Sequence, residues 1–225
     1  MTFECDEDLR VVEQFYSIQG ESTFAGMPCH FVRLHGCNLR CEYCDTPYAY
    51  DKDSKFFSLP VKEFIKFYLE SDVKLIEITG GEPLLQLEPV VKACQALVDR
   101  CTILIETNGS IDISAFKMAP QSLVLIMDVK TPSSGMSSKI NYENFKHLRP
   151  VDEIKFVVGN YEDFEFAKQI CEKYSLATRC KPLVSPVFGQ ISLPDLASWV
   201  LNETPYMRMQ VQLQKWIWDF STRGV

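Results

Sequence analysis

The chain has 225 residues, 46% hydrophobic and 24% charged, which is enough apolar material for a packed core and excludes a disordered polymer. Its 23 basic and 30 acidic residues give a net charge of −7, a poor basis for following nucleic-acid phosphates, and no apolar run nears the ~20 residues that span a bilayer. The polar, acidic start MTFECDEDLR carries no targeting pattern, so a cytoplasmic protein without a membrane or nucleic-acid partner is expected.

Aliphatic and β-branched runs predict strands at His30–His35, Lys74–Thr79, Thr102–Glu106, Leu123–Asp128, Glu153–Val158 and Arg179–Val184. Most are continuously apolar, the pattern of parallel strands covered by helices. Helices are predicted between them. Val61–Glu70 puts Val61, Phe64, Ile65 and Tyr68 on one face, and Leu87–Val98 does the same with Leu87, Val90, Val91, Cys94, Leu97 and Val98. Tyr161–Tyr174 follows a capping Asn160, and Leu193–Leu201 has Pro194 in its first turn. The alternation predicts an α/β fold in a single domain over residues 1–225. The polar stretch Thr131–Lys139 (TPSSGMSSK) reads as a loop directly after a strand, where such folds carry function.

Nine cysteines are many for a chain this size in a reducing compartment, and they point to metal or redox chemistry over disulfides. Cys37, Cys41 and Cys44 form a C-x3-C-x2-C pattern just past the first predicted strand, close enough to converge on one metal centre. Three readings compete. Structural zinc wants a fourth ligand, for which His35, Asp45 or a distant cysteine would have to serve. An iron–sulfur cluster held by three thiolates keeps one iron open for an exogenous ligand. Three unrelated thiols are the plain alternative. Of the rest, Cys94 and Cys171 sit on apolar helix faces as packing residues, Cys5, Cys101 and Cys180 are scattered, and Cys29 is a reserve ligand.

This loop resembles the signature of the radical S-adenosylmethionine superfamily. The resemblance implies a partial (β/α) barrel of about six parallel strands. It also implies a [4Fe–4S] cluster on Cys37, Cys41 and Cys44, whose open iron chelates S-adenosylmethionine and cleaves it to a 5′-deoxyadenosyl radical. Four further strand ends then gain meaning, with a turn, a solvated strand end or, for the last, a loop with a buried aromatic as the plain alternative. Thr79–Pro83 (TGGEP) resembles the superfamily motif that holds the methionine amino group, with Gly81 and Glu82 as cofactor contacts. Asn108 in ETNGS, Asp128-Val129-Lys130, and Ser185-Pro186-Val187-Phe188 are expected to line the cofactor's ribose and adenine.

The segment EQFYSIQGESTFAGMPCHFVRLHGCNLRCEYCDTPYAYD resembles 7-carboxy-7-deazaguanine synthases, most closely over residues 11–50 and 74–90. Members contract the ring of 6-carboxy-5,6,7,8-tetrahydropterin with loss of ammonia on the route to queuosine. The resemblance implies Ile18, Gln19, Gly20, Arg33 and Thr79 as substrate contacts, with Arg33 suited to a carboxylate. It also implies Mg2+ on Thr46, a flavodoxin or ferredoxin-type reductant, and a homodimer. A glycyl-radical-enzyme activating enzyme and a non-enzymatic iron–sulfur protein are the alternatives. Gln212-Leu213-Gln214-Lys215 departs from the family's Gln-x-His-Lys stretch, and the tail WIWDFSTRGV reads as packing or a subunit contact, with no site role for Val225.

Overall fold

The structure, a computed structural model, describes residues 8–219 and 222–225, so Cys5 lies outside the described residues. One mixed sheet organises the chain, in the order β3-β1-β2-β4-β5-β6-β7-β8-β9. Strands β2 (Pro28–Leu34), β4 (Leu75–Gly80), β5 (Thr102–Thr107), β6 (Leu123–Asp128), β7 (Glu153–Val158) and β8 (Lys181–Pro186) are the six predicted ones, and they run parallel. Helices α1 (Val61–Glu70), α2 (Leu87–Leu97), α3 (Tyr161–Lys173) and α4 (Leu193–Glu203) agree with the predicted helices to within two residues at each end. Asn160 caps α3 through the Asp163 amide, and Ser192 caps α4 through that of Asp195.

Three strands were not anticipated. β1 (Asp8–Ile18) pairs antiparallel with β2 and with β3 (Phe57–Pro60), and the two-residue β9 (Arg208–Met209) extends the other edge. β1 escapes periodicity because its register shifts between Val11 and Glu13, so the alternation of its buried side breaks there. The same shift sets Glu13 opposite Arg33. At the other end of the sheet, β8 runs to Pro186, so Ser185 and Pro186 are strand residues instead of a following loop.

Alternation on the parallel strands sorts two cores. Ile76, Ile78, Ile103, Ile105, Leu125, Met127, Ile154 and Phe156 face the helices in the larger one. A smaller cluster of Phe31, Leu75, Leu104, Val124 and Ile126 fills the concave side, and Cys29 belongs to it. Above that plug the same inner face turns polar, with Glu77, Thr79, Glu106, Asp128 and Lys155 next along their strands. The C-terminal segment crosses the gap between the sheet edges: Leu213 donates its N–H to the Gly20 carbonyl at 2.9 Å, and Gln210 accepts from the Ser22 amide at 2.7 Å. Among the described residues, no helix is long and apolar enough to cross a membrane.

Candidate active site

A cavity of about 640 Å3 opens at the C-terminal ends of the parallel strands. Cys37, Cys41 and Cys44 line it, on the loop that leaves β2. Tyr43 anchors this loop by donating to the Val157 carbonyl, and the Arg40 guanidinium donates to the carbonyls of Cys37 and Leu39. The Cys37 sulfur accepts from the Leu39 amide at 3.4 Å and from Asn108 Nδ2 at 3.9 Å. Burial raises the Cys41 thiol to about 11, so its thiolate needs a positive partner, which a metal centre supplies. Among the described residues no three His, Cys, Asp or Glu side chains gather tightly enough for one metal ion. A four-iron cube spreads its ligands more widely, and three half-buried thiols facing one cavity suit it. Cys29, Cys94, Cys101, Cys171 and Cys180 are buried away from that cavity, so among the described residues no fourth thiol competes.

The TGGEP turn is built for closeness. A Cβ on Gly81 would sit 2.2 Å from the Gly36 carbonyl oxygen and 2.8 Å from the Cys37 Cβ, so only glycine lets the turn touch the cysteine loop. Glu82 is fully buried, and its carboxylate is occupied. It accepts from the Leu84 amide at 2.9 Å, the Thr107 hydroxyl at 2.8 Å and the Asn108 amide at 2.7 Å. Burial raises it to about 6. It thus ties β5 to the turn, and the turn's backbone faces the cavity at Gly80 and Gly81.

The other cofactor candidates divide. Asn108, Asp128, Lys130, Val187 and Phe188 line the cavity. Val129 instead packs in the helix-side core, and Pro186 is buried in β8. Asp128 Oδ1 is buried in the cavity without a hydrogen-bond partner, an open position for a ligand's hydroxyl, whereas Ser185 Oγ is also unpartnered but Ser185 does not line the cavity. Lys130 donates to Asp128 Oδ2 at 2.8 Å and, against the effect of burial, holds that carboxyl below its ordinary range.

The substrate candidates Ile18, Gln19, Gly20, Arg33 and Thr79 share the cavity, opposite the C-terminal segment. Arg33 is not a free cation: its Nε donates to Glu13 Oε1 at 2.7 Å, and the Tyr48 hydroxyl donates to the same oxygen at 2.9 Å. Thr79 donates to Glu106 Oε2 at 3.1 Å, and Gln19 Nε2 donates to Glu77. Thr46 also lines the cavity and donates to Asp45 Oδ1 at 3.0 Å, while Lys215 pairs with Asp45 Oδ2 at 3.1 Å. A hydroxyl and a carboxylate are hard donors that fit Mg2+.

The polar floor of the cavity was missed. Lys155, which is 5% exposed, reaches Glu21 at 3.0 Å, Asp128 at 3.7 Å and Glu106. Burial opposes charge at Glu21, but Lys155 and the amides of Gln212 and Gln214, each 3.0 Å away, hold it below the usual carboxylate range. Glu77 goes the other way: burial, then repulsion from Glu106, raises it to about 8, so it carries a proton at neutral pH. The signal was available as single charged residues inside apolar strands, in LIEIT and EIKFVV. Gln214, at the departure from the family stretch, touches Glu21 and packs on Gly20, where a Cβ would come within 1.8 Å of its Oε1. Against the packing reading, Trp216 is 64% exposed, and residues 222–225, Val225 among them, line the cavity.

A three-cysteine loop over a glycine turn, at the open end of an incomplete parallel barrel, defines a radical SAM protein. The Radical SAM superfamily model matches residues 31–155. The 7-carboxy-7-deazaguanine synthase of Clostridium acetobutylicum is 38% identical over 219 residues, covering 96% of this chain and 99% of that protein. That of Chlorobaculum tepidum is 39% identical, with 96% and 97% covered. The crystal structure of QueE from Escherichia coli shares the fold at 20% identity, with a TM-score of 0.70 over 92% of this chain and 94% of that one. The chain belongs to the 7-carboxy-7-deazaguanine synthase family.

Proposed function

We propose that the protein converts 6-carboxy-5,6,7,8-tetrahydropterin to 7-carboxy-7-deazaguanine with loss of ammonia. The observation that carries this reading is the polar floor itself: one cavity joins the cysteine loop to buried amide, carboxyl and ammonium groups. A pterin ring presents alternating donors and acceptors in one plane, and pairing them needs both kinds of partner at its edge. Gln19, protonated Glu77, Glu106, Glu21 and Lys155 offer both. Phe15 and Phe31, stacked at 4.9 Å, give the ring an apolar wall. A glycyl-radical activase would need a protein-docking groove in place of this closed polar floor.

Cys37, Cys41 and Cys44 would hold a [4Fe–4S] cluster, which together with S-adenosylmethionine would supply the radical chemistry. Gly81 sets the distance between the cofactor turn and the cysteine loop. Asp128 Oδ1 accepts from the cofactor. Thr46, oriented by Asp45, is the Mg2+ ligand. Lys155 keeps Glu21 ionised as an acceptor and pairs with Glu106, and Glu77 keeps its proton as a donor. A flavodoxin or ferredoxin-type protein supplies the electron, and two copies of the chain form the working unit. The test is anaerobic turnover of that pterin with product read by mass.

A further inference from the structure

Five cationic side chains line the cavity: Arg33, Lys130, Lys155, Lys215 and Arg223. Four face carboxylates. Arg33 pairs with Glu13, Lys130 with Asp128, Lys155 with Glu21 and Glu106, and Lys215 with Asp45. Each pair is close enough to cancel most of the charge that an incoming anion would feel. Arg223 differs. Among the described residues no carboxylate pairs with it, and its guanidinium carbon lies 4.0 Å from the centroid of the Tyr48 ring. A cation–π contact orients a guanidinium without neutralising it.

The same ring brings the two arginines together. The Arg33 guanidinium carbon is 5.8 Å from the Tyr48 centroid, and Tyr48 and Arg33 both donate to Glu13 Oε1. Glu13 thus fixes Arg33 through Nε and leaves its terminal nitrogens for a planar anion, but removes its net charge. Resting on the proposed pterin reading, we propose that Arg223, stacked on Tyr48, supplies the charge that binds the substrate's carboxylate, while Arg33 supplies the geometry. The C-terminal segment is therefore part of the binding site, and selection for a carboxylated heterocycle depends on it.

Binding of pterin-6-carboxylate and of unsubstituted pterin, measured by anaerobic titration calorimetry on the cluster-loaded protein at low salt, tests this. Arg223→Gln should weaken pterin-6-carboxylate at least tenfold and pterin less than threefold. Arg223→Lys should recover part of the loss, because an ammonium keeps the charge. Tyr48→Leu, which frees Arg223, should show the same carboxylate-selective loss. In turnover, Arg223→Gln should raise KM at least tenfold with kcat within threefold of wild type. Equal weakening of both ligands, or unchanged binding of pterin-6-carboxylate, would overturn the Arg223 assignment alone. Failure of the wild-type protein to bind either pterin overturns the function and this assignment together.

Discussion

Lys155→Met isolates the polar floor. The lysine is 5% exposed and meets Glu21 at 3.0 Å, Asp128 at 3.7 Å, and Glu106. Methionine keeps most of the packing volume and deletes the charge, leaving three carboxylates crowded around an apolar tip. Removing one partner of a buried ion pair costs about 3–5 kcal/mol. At roughly 2–4 °C per kcal/mol for a chain of this size, the melting temperature should fall by about 6–20 °C at pH 8. The pH dependence carries the finer test. In the wild type, Glu21 and Asp128 sit below the ordinary carboxylate range, so their contribution is present at neutral pH and lost as pH falls through their folded values. Lys155 lies well above its ordinary value, so its contribution is complete below that value and lost only in strong alkali. Without Lys155, burial dominates at Glu21 and its carboxyl rises above its unfolded value, while Lys130 still holds Asp128 down. The folded variant then takes up protons that the unfolded chain does not, and its deficit shrinks as pH drops from 8 to 5.5. Urea midpoints at the two pH values, on the protein kept reduced and anaerobic, measure this. A melting loss under 2 °C, or a deficit that grows in acid, would refute the reasoning.

Glu77→Gln should remove the opposite slope. Because the folded carboxyl titrates at about 8, far above its unfolded value, native stability declines as pH rises from 5 to 8. The variant should therefore gain about 1–3 kcal/mol relative to wild type across that range, and a pH-independent difference in urea stability would reject the protonated form. Gly81→Ala places a Cβ 2.2 Å from the Gly36 carbonyl oxygen, an overpacking worth about 1–3 kcal/mol that pushes directly on the cysteine loop. Iron retained after anaerobic reconstitution should fall below half of the wild-type value, and full iron retention would show that the turn does not position the loop. Thr46→Ala should weaken the Mg2+ dependence of turnover while the cluster's absorbance stays intact, and an unchanged Mg2+ titration would remove Thr46 from the metal site.

Sequence reading located the six parallel strands because their apolar runs are buried on both faces and need no alternation to be seen. It located the cysteine loop and the TGGEP turn because both functions are local, with ligand and chain reversal within a few residues. Glu82 was found but given another job: only the fold reveals that its carboxylate is filled by Leu84, Thr107 and Asn108. Val129 was placed at the cofactor by motif position, yet strand alternation turns it to the helix side, opposite its neighbours Asp128 and Lys130. The floor was harder. Glu21, Glu77, Glu106 and Lys155 come from four separate segments, and a lone charge in an apolar strand does not announce its partner. Gln214 and Arg223 were illegible for the same reason, since their partners Glu21 and Tyr48 lie more than 170 residues earlier in the chain. The shift at Val11 and Glu13 hid β1, and with it the Glu13–Arg33 pair that changes how the carboxylate pole works.

The central claim, a radical SAM ring contraction carried out in this cavity, is tested most directly by single-turnover mass analysis. Anaerobically reconstituted protein, carrying about four irons per chain, is mixed with S-adenosylmethionine, a reductant, Mg2+ and 6-carboxy-5,6,7,8-tetrahydropterin. The account predicts 7-carboxy-7-deazaguanine and ammonia in equal amounts, dependent on the pterin and abolished in Cys41→Ala. Cleavage of S-adenosylmethionine to 5′-deoxyadenosine with the pterin recovered unchanged would contradict it.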